Sequence, residues 1–331
     1  METKKLTSMN VLLTGASGFI GSCFLKKLNL LGIDQVWLTD IASEGFAHAN
    51  LQGKKFQGYI TRDQLFSEIE KNNLNHINLV VHLGACSDTT EKNRTYLQEN
   101  NTDYSRKLAQ WCLAKNKKFH YASSASVYGD GKQGYSDDSS KVHLYKALNL
   151  YGESKLLFDQ WVIDQKLEKQ VVGYRYFNVF GPNEYHKGDM RSLVSKAYDQ
   201  LAAGERVKLF ATSRAGYGDG SEERDFVYVK DVIDVMAYFL EHPDRGGIFN
   251  LGTGQPRSFK DLALAVYLAM NKKPDIEYIP MPEKLKGQYQ YWTCADLEKL
   301  KNAGYNKPFL SLENSVKDYV HNHLSQKIPI Y

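Results

Sequence analysis

A tyrosine and a lysine four positions apart could together move a proton. Tyr151 and Lys155 open a segment of helical periodicity, so their side chains lie on the same face of a helix. A free tyrosine hydroxyl has a pKa of about 10 and is a poor base near neutral pH. A neighbouring ammonium would favour the phenolate and lower that pKa. The pair could exchange a proton with a substrate hydroxyl, although a packed tyrosine beside a solvated lysine would give the same spacing.

A serine upstream favours the catalytic interpretation. Ser124 follows the apolar run 119–122, where a strand of the predicted sheet would end. Its hydroxyl could donate a hydrogen bond to an oxygen that passes between alcohol and ketone. We therefore predict that Ser124 acts with Tyr151 and Lys155.

Three glycines near the beginning of the chain predict a dinucleotide site. An apolar run at 11–14 leads into Gly15, Gly18 and Gly21, and a helical pattern follows. The first glycine permits a tight turn, the second lets the backbone approach a pyrophosphate, and the third lets the helix pack against the strand. The pyrophosphate would then lie at the helix N-terminus, where free N–H groups favour negative charge. Strand, glycine loop, Ser and Tyr-x-x-x-Lys, in that order, are typical of short-chain dehydrogenases.

The choice between NAD and NADP stays open on the residues alone. Asp40 closes the second predicted strand, about twenty residues after the glycines, where a carboxylate would bind a ribose 2′-hydroxyl and favour NAD. Arg62 and the pair Lys54 and Lys55 could instead meet a 2′-phosphate, although surface solvation explains them equally well.

Short apolar runs alternate with helical patterns through the first half of the chain. This alternation predicts an α/β fold: a doubly wound parallel-sheet Rossmann domain with a smaller α/β substrate-binding lobe. The predicted strands are 11–14, 36–39, 79–83, 119–122 and 171–176, and the predicted helices between them are 19–31, 63–72, 103–115 and 151–165.

The alternation lapses after Tyr176. A loop rich in Gly, Pro and Asn is followed by a predicted helix at 190–203 and an exposed loop at 214–223. Strand 226–229 and helix 232–240 are expected to rejoin the first domain. A helix at 259–270, a strand at 277–279 and helices near Ala295 and Leu312 complete the pattern. We predict a dinucleotide-binding domain of residues 1–177 plus about 225–247, and a substrate-binding lobe of 178–224 and 248–331.

Composition excludes several classes of protein. The chain has 331 residues, 42% hydrophobic and 24% charged, which is ordinary for a packed protein. A net charge of +4 is too small and dispersed for a nucleic-acid surface but suits anionic small molecules. No apolar run is long enough for a membrane helix, and residues 1–10 lack a signal-peptide pattern. We expect a cytoplasmic protein with reduced thiols and no metal site.

Six segments carry a more specific resemblance. They are HLGACSDTT from His82, RYFNVFGP from Arg175, HKG from His186, RDFVYV from Arg224, GIFNLGTG from Gly247 and KLKGQY from Lys284. With these the chain resembles the ADP-L-glycero-D-manno-heptose 6-epimerase family of extended short-chain dehydrogenases/reductases over about residues 9–322. GACS, HKG and KLKGxY are the segments most particular to that family.

The resemblance implies epimerisation at C6 of an ADP-linked manno-heptose. The carbon to be inverted has no adjacent carbonyl, so simple deprotonation cannot epimerise it. The family oxidises it transiently to a ketone with tightly held NAD(P) and returns the same hydride to the other face. Its two acid/base groups correspond here to Tyr151 and Lys187. Lys187 could instead be a phosphate or solvent contact.

The resemblance also implies two sets of binding residues. Those expected at the cofactor are Gly15, Gly18, Phe19, Ile20, Gly21, Asp40, Ile41, Arg62, Leu83, Gly84, Ala85, Cys86, Ser87, Asn100, Lys155, Asn178 and Val179. Those expected at the substrate are Ser124, Asn178, Asp189, Lys196, Phe210, Ala211, Thr212, Ser213, Arg224 and Tyr289. Arg224 and Lys196 suit a diphosphate.

The family habit favours NADP, which we expect narrowly over NAD. It further implies a homopentamer that supplies activated heptose for the lipopolysaccharide core. Four features depart from the family pattern. Ala47 replaces a lysine near the adenosine 2′ position, Leu83 replaces a glutamate, Asp189 replaces a small hydroxyl residue, and loop 214–223 is longer than usual.

Two other functions fit part of the pattern. A UDP-hexose 4-epimerase or a 4,6-dehydratase shares the fold, but the former has no use for Lys187 and the latter adds an acid pair that Ala125 and Ser126 do not supply. A redox sensor that binds the cofactor without turnover would tend to lose Tyr151 or Lys155, and both are present.

Overall fold

The fold is built around a seven-stranded sheet. The computed structural model describes residues 6–41, 49–212, 218–282 and 290–331. The strands are β1 (Val11–Thr14), β2 (Val36–Asp40), β3 (Gly58–Thr61), β4 (Leu79–His82), β5 (Lys118–Ser124), β6 (Val171–Tyr176), β7 (Asn178–Phe180), β8 (Val207–Ala211), β9 (Glu223–Arg224), β10 (Phe226–Tyr228), β11 (Gly247–Leu251), β12 (Arg257–Ser258) and β13 (Ile276–Pro280).

The main sheet is parallel throughout, in the order β11-β6-β5-β4-β1-β2-β3. The chain therefore starts in the middle of the sheet and winds outward to each edge in turn, which confirms the predicted α/β fold with a parallel sheet. Three two-stranded pairs lie outside it: β7 with β10, β9 with β12, and β8 with β13.

Helices connect the strands and cover the sheet. They are α1 (Phe19–Leu30), α2 (Leu65–Glu70), α3 (Arg94–Leu97), α4 (Tyr104–Ala114), α5 (Leu150–Asp164), α6 (Leu193–Ala202), α7 (Val229–Glu241), α8 (Phe259–Ala269), α9 (Glu298–Asn302) and α10 (Leu312–Tyr319). Single turns of other helix types occur at Gln98–Asp103, Ala125–Tyr128, Ser139–Leu144, Tyr185–Met190 and Val320–Leu324.

Both faces of the sheet are packed, as its continuous apolar strands require. Along β1, Val11 and Leu13 belong to one buried cluster, whereas Leu12 belongs to a second cluster on the opposite face. Along β4, Val81 and Val80 divide in the same way. Successive side chains of a strand point to opposite faces, so one short apolar run supplies both cores.

Most predicted elements agree with the structure to within a few residues, but six strands were not predicted: β3, β7, β8, β9, β11 and β12. Strand β3 forms the sheet edge and is only half-buried, and β8 pairs with the distant β13. The helix predicted at 63–72 is shorter, since α2 covers Leu65–Glu70. The predicted strand 226–229 is β10, which pairs with β7 outside the main sheet.

One predicted domain boundary needs correction. The limit near residue 247 assigned residues 248–251 to the substrate lobe, yet β11 pairs with β6 and forms an edge of the main sheet. Every β11 residue is buried, which is why no polar break marks a boundary there. The division of the chain into two domains otherwise stays a prediction.

Candidate active site

A cleft of about 600 Å³ opens at the carboxyl ends of the parallel strands. Its wall on one side comes from the loops after β1, β2, β4 and β5. The other side comes from residues 176–180, 186–187 and 190–193, with Phe226, Phe259, Leu262 and Gln290. Ligands of doubly wound sheets bind at this edge, so the cleft lies where the topology expects one.

The glycine loop forms a cradle that a larger side chain would fill. Gly15 has a φ of +67°, and a Cβ there would lie 2.7 Å from the backbone nitrogen of Gly84. A Cβ on Gly21 would lie 2.0 Å from the Gly15 carbonyl oxygen. Gly18 caps the N-terminus of α1, so the first free N–H groups of that helix adjoin the cleft. The loop fits the pyrophosphate of a dinucleotide.

Asp40 is held at the end of β2 by two backbone donors. Ser17 N–H donates to its Oδ2 at 2.9 Å, and Ile41 N–H donates to its Oδ1 at 2.8 Å. Each carboxylate oxygen can accept a further hydrogen bond, so the group can still bind a hydroxyl. Arg62 donates its backbone N–H to the Asp40 carbonyl at 2.8 Å, and its guanidinium lies 5.6 Å from the Tyr104 ring centroid.

Tyr151 and Lys155 lie in the first two turns of α5. The side chain of Asn149 caps this helix by accepting from Gly152 N–H at 2.8 Å, which fixes where the helix begins. Lys155 Nζ donates to the Ala122 carbonyl of β5 at 3.0 Å, and burial lowers the pKa of Lys155 to about 8. Both side chains line the cleft.

The pKa of Tyr151 moves in the direction opposite to our expectation. Burial raises it, and a hydrogen bond with Ser124 opposes that rise. We predicted that Lys155 lowers the pKa of Tyr151, but in the protein without its cofactor the net shift of this pKa is a rise. The cost of removing the phenolate from water outweighs the favourable contacts around it.

A buried ion pair supports the strand that carries Ser124. Arg175 Nε donates to Asp159 Oδ2 at 2.8 Å, and both side chains are almost fully buried. Tyr121 and Ser123 of β5 each donate a hydroxyl hydrogen bond to the same carboxylate at 2.9 Å. The pair thus fixes β5, which ends at Ser124, and β6 against α5, which carries Tyr151 and Lys155.

A second buried chain of hydrogen bonds positions the loop after β4. His82 Nδ1 lies 2.7 Å from Thr14 Oγ1, which accepts from Gly84 N–H at 3.1 Å. His82 Nε2 lies 2.9 Å from Ser105 Oγ. Burial lowers the pKa of His82 to about 3, so the ring is neutral near pH 7 and can donate on one side while it accepts on the other.

Lys187 reaches the cleft from the loop between β7 and α6. Its Nζ lies 5.5 Å from the Phe19 ring centroid, and the side chain lines the cavity. Burial lowers the pKa of Lys187, and the carboxylate of Glu184 opposes that shift. The structure therefore brings a second titratable amine into the cavity that holds Tyr151 and Ser124.

Most predicted cofactor residues line this cleft, and fewer of the predicted substrate residues do. The predicted residues that line it are Gly15, Gly18, Phe19, Ile20, Gly21, Asp40, Ile41, Leu83, Gly84, Ala85, Ser87, Ser124, Tyr151, Lys155, Asn178, Val179 and Lys187. Of the residues that the structure describes, those predicted but absent from the lining are Arg62, Cys86, Asn100, Asp189, Lys196, Phe210, Ala211, Thr212 and Arg224. Ser213 and Tyr289 lie outside the described residues, as do Ala47, segment 284–289 and the part of loop 214–223 before residue 218.

On the cofactor side, local contacts hold the half-buried Cys86 and the buried Asn100. The backbone N–H and C=O of Cys86 are both bonded to the side chain of Asn101, at 2.8 and 3.0 Å. Asn100 Nδ2 donates to the Tyr96 carbonyl at 2.6 Å. Asn101 thus fixes the backbone between Ala85 and Ser87, which line the cleft.

On the substrate side, the exceptions lie at the rim or one layer away. Lys196 Nζ donates to the Asp189 carbonyl at 2.5 Å, in an exposed turn. Residues 210–212 end β8, in the small sheet with β13. Arg224 is buried, with its guanidinium 5.6 Å from the ring centroid of Phe259, which does line the cavity.

Sequence reasoning missed several residues of the substrate wall. They are Thr89, Tyr176, Phe177, Phe180, His186, Met190, Arg191, Ser192, Leu193, Phe226, Phe259, Leu262 and Gln290. His186 is adjacent to Lys187, and that proximity was a signal that could have extended the prediction along the loop. The apolar members carried no such signal, since their residue types are equally common in a core.

The described ranges contain neither a cluster of metal ligands nor a membrane-spanning helix. Within residues 6–41, 49–212, 218–282 and 290–331, no group of three or more His, Cys, Asp or Glu side chains could hold a metal ion. Over the same ranges, no helix has the length and apolar character needed to cross a membrane.

Comparison with known proteins identifies the family. Residues 11–252 match the model of the NAD dependent epimerase/dehydratase family. The chain belongs to this family. The match includes the glycine loop, Ser124, Tyr151, Lys155 and Lys187, and it indicates a nicotinamide cofactor.

Curated relatives refine the position within the family. The chain is 43% identical over 319 residues to an ADP-L-glycero-D-manno-heptose-6-epimerase of Nitratidesulfovibrio vulgaris, a match that covers 96% of this chain and 99% of the relative. It is also 43% identical to the enzyme of that name from Fusobacterium nucleatum, with 96% and 98% covered. These relatives confirm the resemblance predicted from the motifs.

A solved structure agrees with both findings. The crystal structure of Helicobacter pylori ADP-L-glycero-D-manno-heptose-6-epimerase superposes with a TM-score of 0.80 at 29% identity. The match covers 96% of this chain and 97% of that one. The two chains therefore share one fold over nearly their whole length.

Proposed function

We propose that this family member is an ADP-glyceromanno-heptose 6-epimerase, which interconverts ADP-D-glycero-β-D-manno-heptose and ADP-L-glycero-β-D-manno-heptose at C6. The observation that carries the proposal is that Tyr151 and Lys187, from two different elements, line one cavity with Ser124 and the glycine loop. The names of the relatives, which cover nearly the whole chain, support the choice of sugar.

The chemistry of C6 requires a cofactor. Its hydrogen is not acidic, because no carbonyl is adjacent, so a base alone cannot invert the carbon. A bound nicotinamide supplies the reversible hydride transfer that makes C6 a flat ketone. The glycine loop and Asp40 are the groups of this chain that would hold the dinucleotide.

The protein groups move the proton of the C6 hydroxyl. Ser124 donates a hydrogen bond to the C6 oxygen, and Tyr151 exchanges the proton at its phenolic oxygen. Lys155, fixed by the Ala122 carbonyl, places positive charge beneath this pair. The hydroxyls of the two epimers point in different directions from C6, and Lys187 serves the epimer that Tyr151 does not.

Other binding roles are part of the proposal. Asn178 lines the cleft, and Lys196 and Arg224 would attract the diphosphate of the substrate from the rim and from the second layer. Asp189 and residues 210–213 and 289 would complete the substrate wall. The remaining expected cofactor contacts, Cys86 and Asn100 among them, keep their proposed roles.

For the cofactor we favour NADP over NAD. Arg62 follows β3 next to the end of β2, where it offers a cation to a 2′-phosphate, whereas Asp40 alone would favour NAD. We also propose a cytoplasmic homopentamer that supplies activated heptose for the lipopolysaccharide core, as the family resemblance implies.

One experiment tests the reaction itself. The purified protein is incubated with ADP-D-glycero-β-D-manno-heptose, and NMR follows the formation of the C6 epimer. We expect the epimer to form until the two reach equilibrium, without added reductant. The Tyr151→Phe variant is the control. Formation of a 4-epimer from a UDP-hexose instead would assign the protein to the other branch of the family.

A further inference from the structure

The loop that carries Lys187 is fixed to the body that holds the cofactor loop. Asn183 Nδ2 donates to Ser22 Oγ of α1 at 2.9 Å. Asn50 Nδ2 donates to both the Asn183 carbonyl and the Ser17 carbonyl, each at 3.0 Å. Cys23 Sγ donates to the Pro182 carbonyl at 3.4 Å. The first part of this loop is therefore tied to the glycine loop and its helix before any sugar binds.

The buried side chain of Glu184 joins the two ends of the same loop. Its side chain is 1% exposed, although it is a carboxylate. It accepts from Ser192 N–H and Ser192 Oγ at 2.5 and 2.6 Å, and from Gly181 N–H at 3.3 Å. Tyr319 of α10 adds a hydroxyl donor at 3.1 Å. A carboxylate offers about four acceptor positions, so the donors from the two ends of the loop occupy nearly all of them.

The charges around Glu184 point to Lys187 as its functional partner. Burial raises the pKa of Glu184, and the bonds from Ser192 and the Lys187 ammonium oppose that shift. Reciprocally, Glu184 opposes the lowering of the Lys187 pKa. The backbone N–H of Lys187 also donates to the Glu184 carbonyl at 3.0 Å.

The groups that face this pair come from several elements. Those that act on or are acted on by Glu184 are Lys187 and Lys196, Tyr185, Tyr319 of α10 and Cys23 of α1. Those that face Lys187 are Glu184, the imidazole of His186 and the ring of Phe19. Among these groups, Glu184 is the one carboxyl group.

We propose that Glu184 is the positioning residue of Lys187. Its buried carboxylate holds the loop in place. It also supplies negative charge that stabilises the protonated form of Lys187, so that this amine can act as both acid and base. The inference rests on the proposed function, since it assumes that Lys187 is the second acid/base group. Glu184 itself does not line the cavity described above, so its effect on the sugar passes through Lys187.

The test measures the pKa of Lys187 directly. Lysines are methylated with ¹³C-formaldehyde, the Lys187 signal is assigned with Lys187→Met, and its chemical shift is followed against pH. Glu184→Gln keeps the volume of the side chain and removes its charge. We expect the Lys187 pKa to fall, because Glu184 opposes the lowering of that pKa and the neutral amide cannot do so. Epimerisation should fall ~10-fold or more in kcat, with little change in KM.

Ser192→Ala is the matched control. It removes the hydroxyl donor to Glu184 at the end of the loop but leaves the carboxyl group and the Ser192 N–H donor in place. The Lys187 pKa should therefore change less than in Glu184→Gln. A purely structural role for Glu184 would make the two variants alike in the titration.

Glu184→Asp keeps the proposal testable if the glutamine variant does not fold. It retains the charge but withdraws it by one methylene, so the Lys187 pKa should lie between the wild-type and Glu184→Gln values and kcat should be partly rescued. A Lys187 pKa unchanged in a folded Glu184→Gln or Glu184→Asp protein overturns the inference. Failure of the proposed function is distinguishable, because the wild type would then not epimerise the heptose while the titration could still be measured.

Discussion

The two sides of the cleft differ in how the chain builds them. On the cofactor side, Gly15 follows β1, and Asp40 and Ser124 end β2 and β5, so all three are positioned by strands of one parallel sheet. On the substrate side, different small sheets, helices and loops supply the wall, with residues 186–187, 190–193, 226, 259, 262 and 290. One side depends on a single repeated architecture, and the other on tertiary contacts between distant segments.

The residues proposed for catalysis and those proposed for substrate binding lie in different parts of the cleft. The groups proposed to move protons, Tyr151, Ser124 and Lys187, are each fixed to the body that holds the glycine loop. The proposed diphosphate contacts Lys196 and Arg224 lie at the rim or one layer away. We expect substitutions of the first group to act on kcat and those of the second group to act on KM.

The largest expected effect comes from the two proposed acid/base groups. Tyr151→Phe and Lys187→Met should each reduce kcat for epimerisation by ~100-fold or more, the usual scale for losing a positioned acid or base. Tyr96→Phe and Lys208→Met, both at exposed positions outside the cleft, are matched controls. Wild-type activity in Lys187→Met would remove the second base from the mechanism.

Substitution of a glycine on the cofactor side should be far more disruptive than substitution of a glycine outside the substrate wall. In Gly21→Ala the new Cβ would lie 2.0 Å from the Gly15 carbonyl oxygen, so the loop must shift. We expect a loss of about 1–3 kcal/mol in the free energy of unfolding and loss of bound dinucleotide. Gly218 is open, with only Ser221 Oγ near, at 3.9 Å, so Gly218→Ala should be neutral.

Thermal denaturation and mass spectrometry of the released dinucleotide measure both effects of the glycine exchange. The wild type should release close to one equivalent of dinucleotide, NADP rather than NAD. A wild type that purifies without any dinucleotide would contradict a cofactor that stays bound through the cycle.

Replacement of Arg62 tests the proposed preference for NADP over NAD. Arg62→Ala should weaken NADP binding ~10- to 100-fold, since a charge-assisted hydrogen bond contributes roughly 1.5–3 kcal/mol, and leave NAD binding unchanged. The affinities are measured by reconstituting stripped protein with each dinucleotide. Equal losses for both would show that Arg62 does not read the 2′-phosphate.

Lys196 should show the smallest effect, because it lies at the half-exposed rim. Lys196→Ala should raise KM for the ADP-heptose roughly threefold to fivefold with kcat unchanged, as expected for an ion pair worth about 1 kcal/mol. Salt should weaken the wild type more than the variant. A fall in kcat with constant KM would place Lys196 with the acid/base groups instead.

The sequence predicted the cofactor side well because its signals are local. Gly15, Gly18 and Gly21 lie within one strand–turn–helix unit, and the spacing of Tyr151 and Lys155 follows from helix geometry. Asp40 could be placed because a parallel strand must end at the cofactor edge. The main sheet was predicted for the same reason, apart from its two edge strands, the half-buried β3 and the buried β11.

The substrate side could not be predicted to the same degree. From the sequence alone, Phe226 and Phe259 cannot be distinguished from ordinary core residues. The tertiary structure shows that they meet at the cleft. The residue order of Glu184 and Lys187 does not show that the carboxylate is buried. The direction of the Tyr151 pKa shift was also missed, because it depends on burial rather than on spacing.

The central claim is that C6 is inverted by transfer of its own hydrogen, with Tyr151 and Lys187 moving only the hydroxyl proton. The most direct test is epimerisation of ADP-D-glycero-β-D-manno-heptose in heavy water, with NMR analysis of the product. The account predicts an L-glycero product that keeps ordinary hydrogen at C6. Deuterium at C6 would mean that the hydrogen passes through an exchangeable group, and would contradict the mechanism.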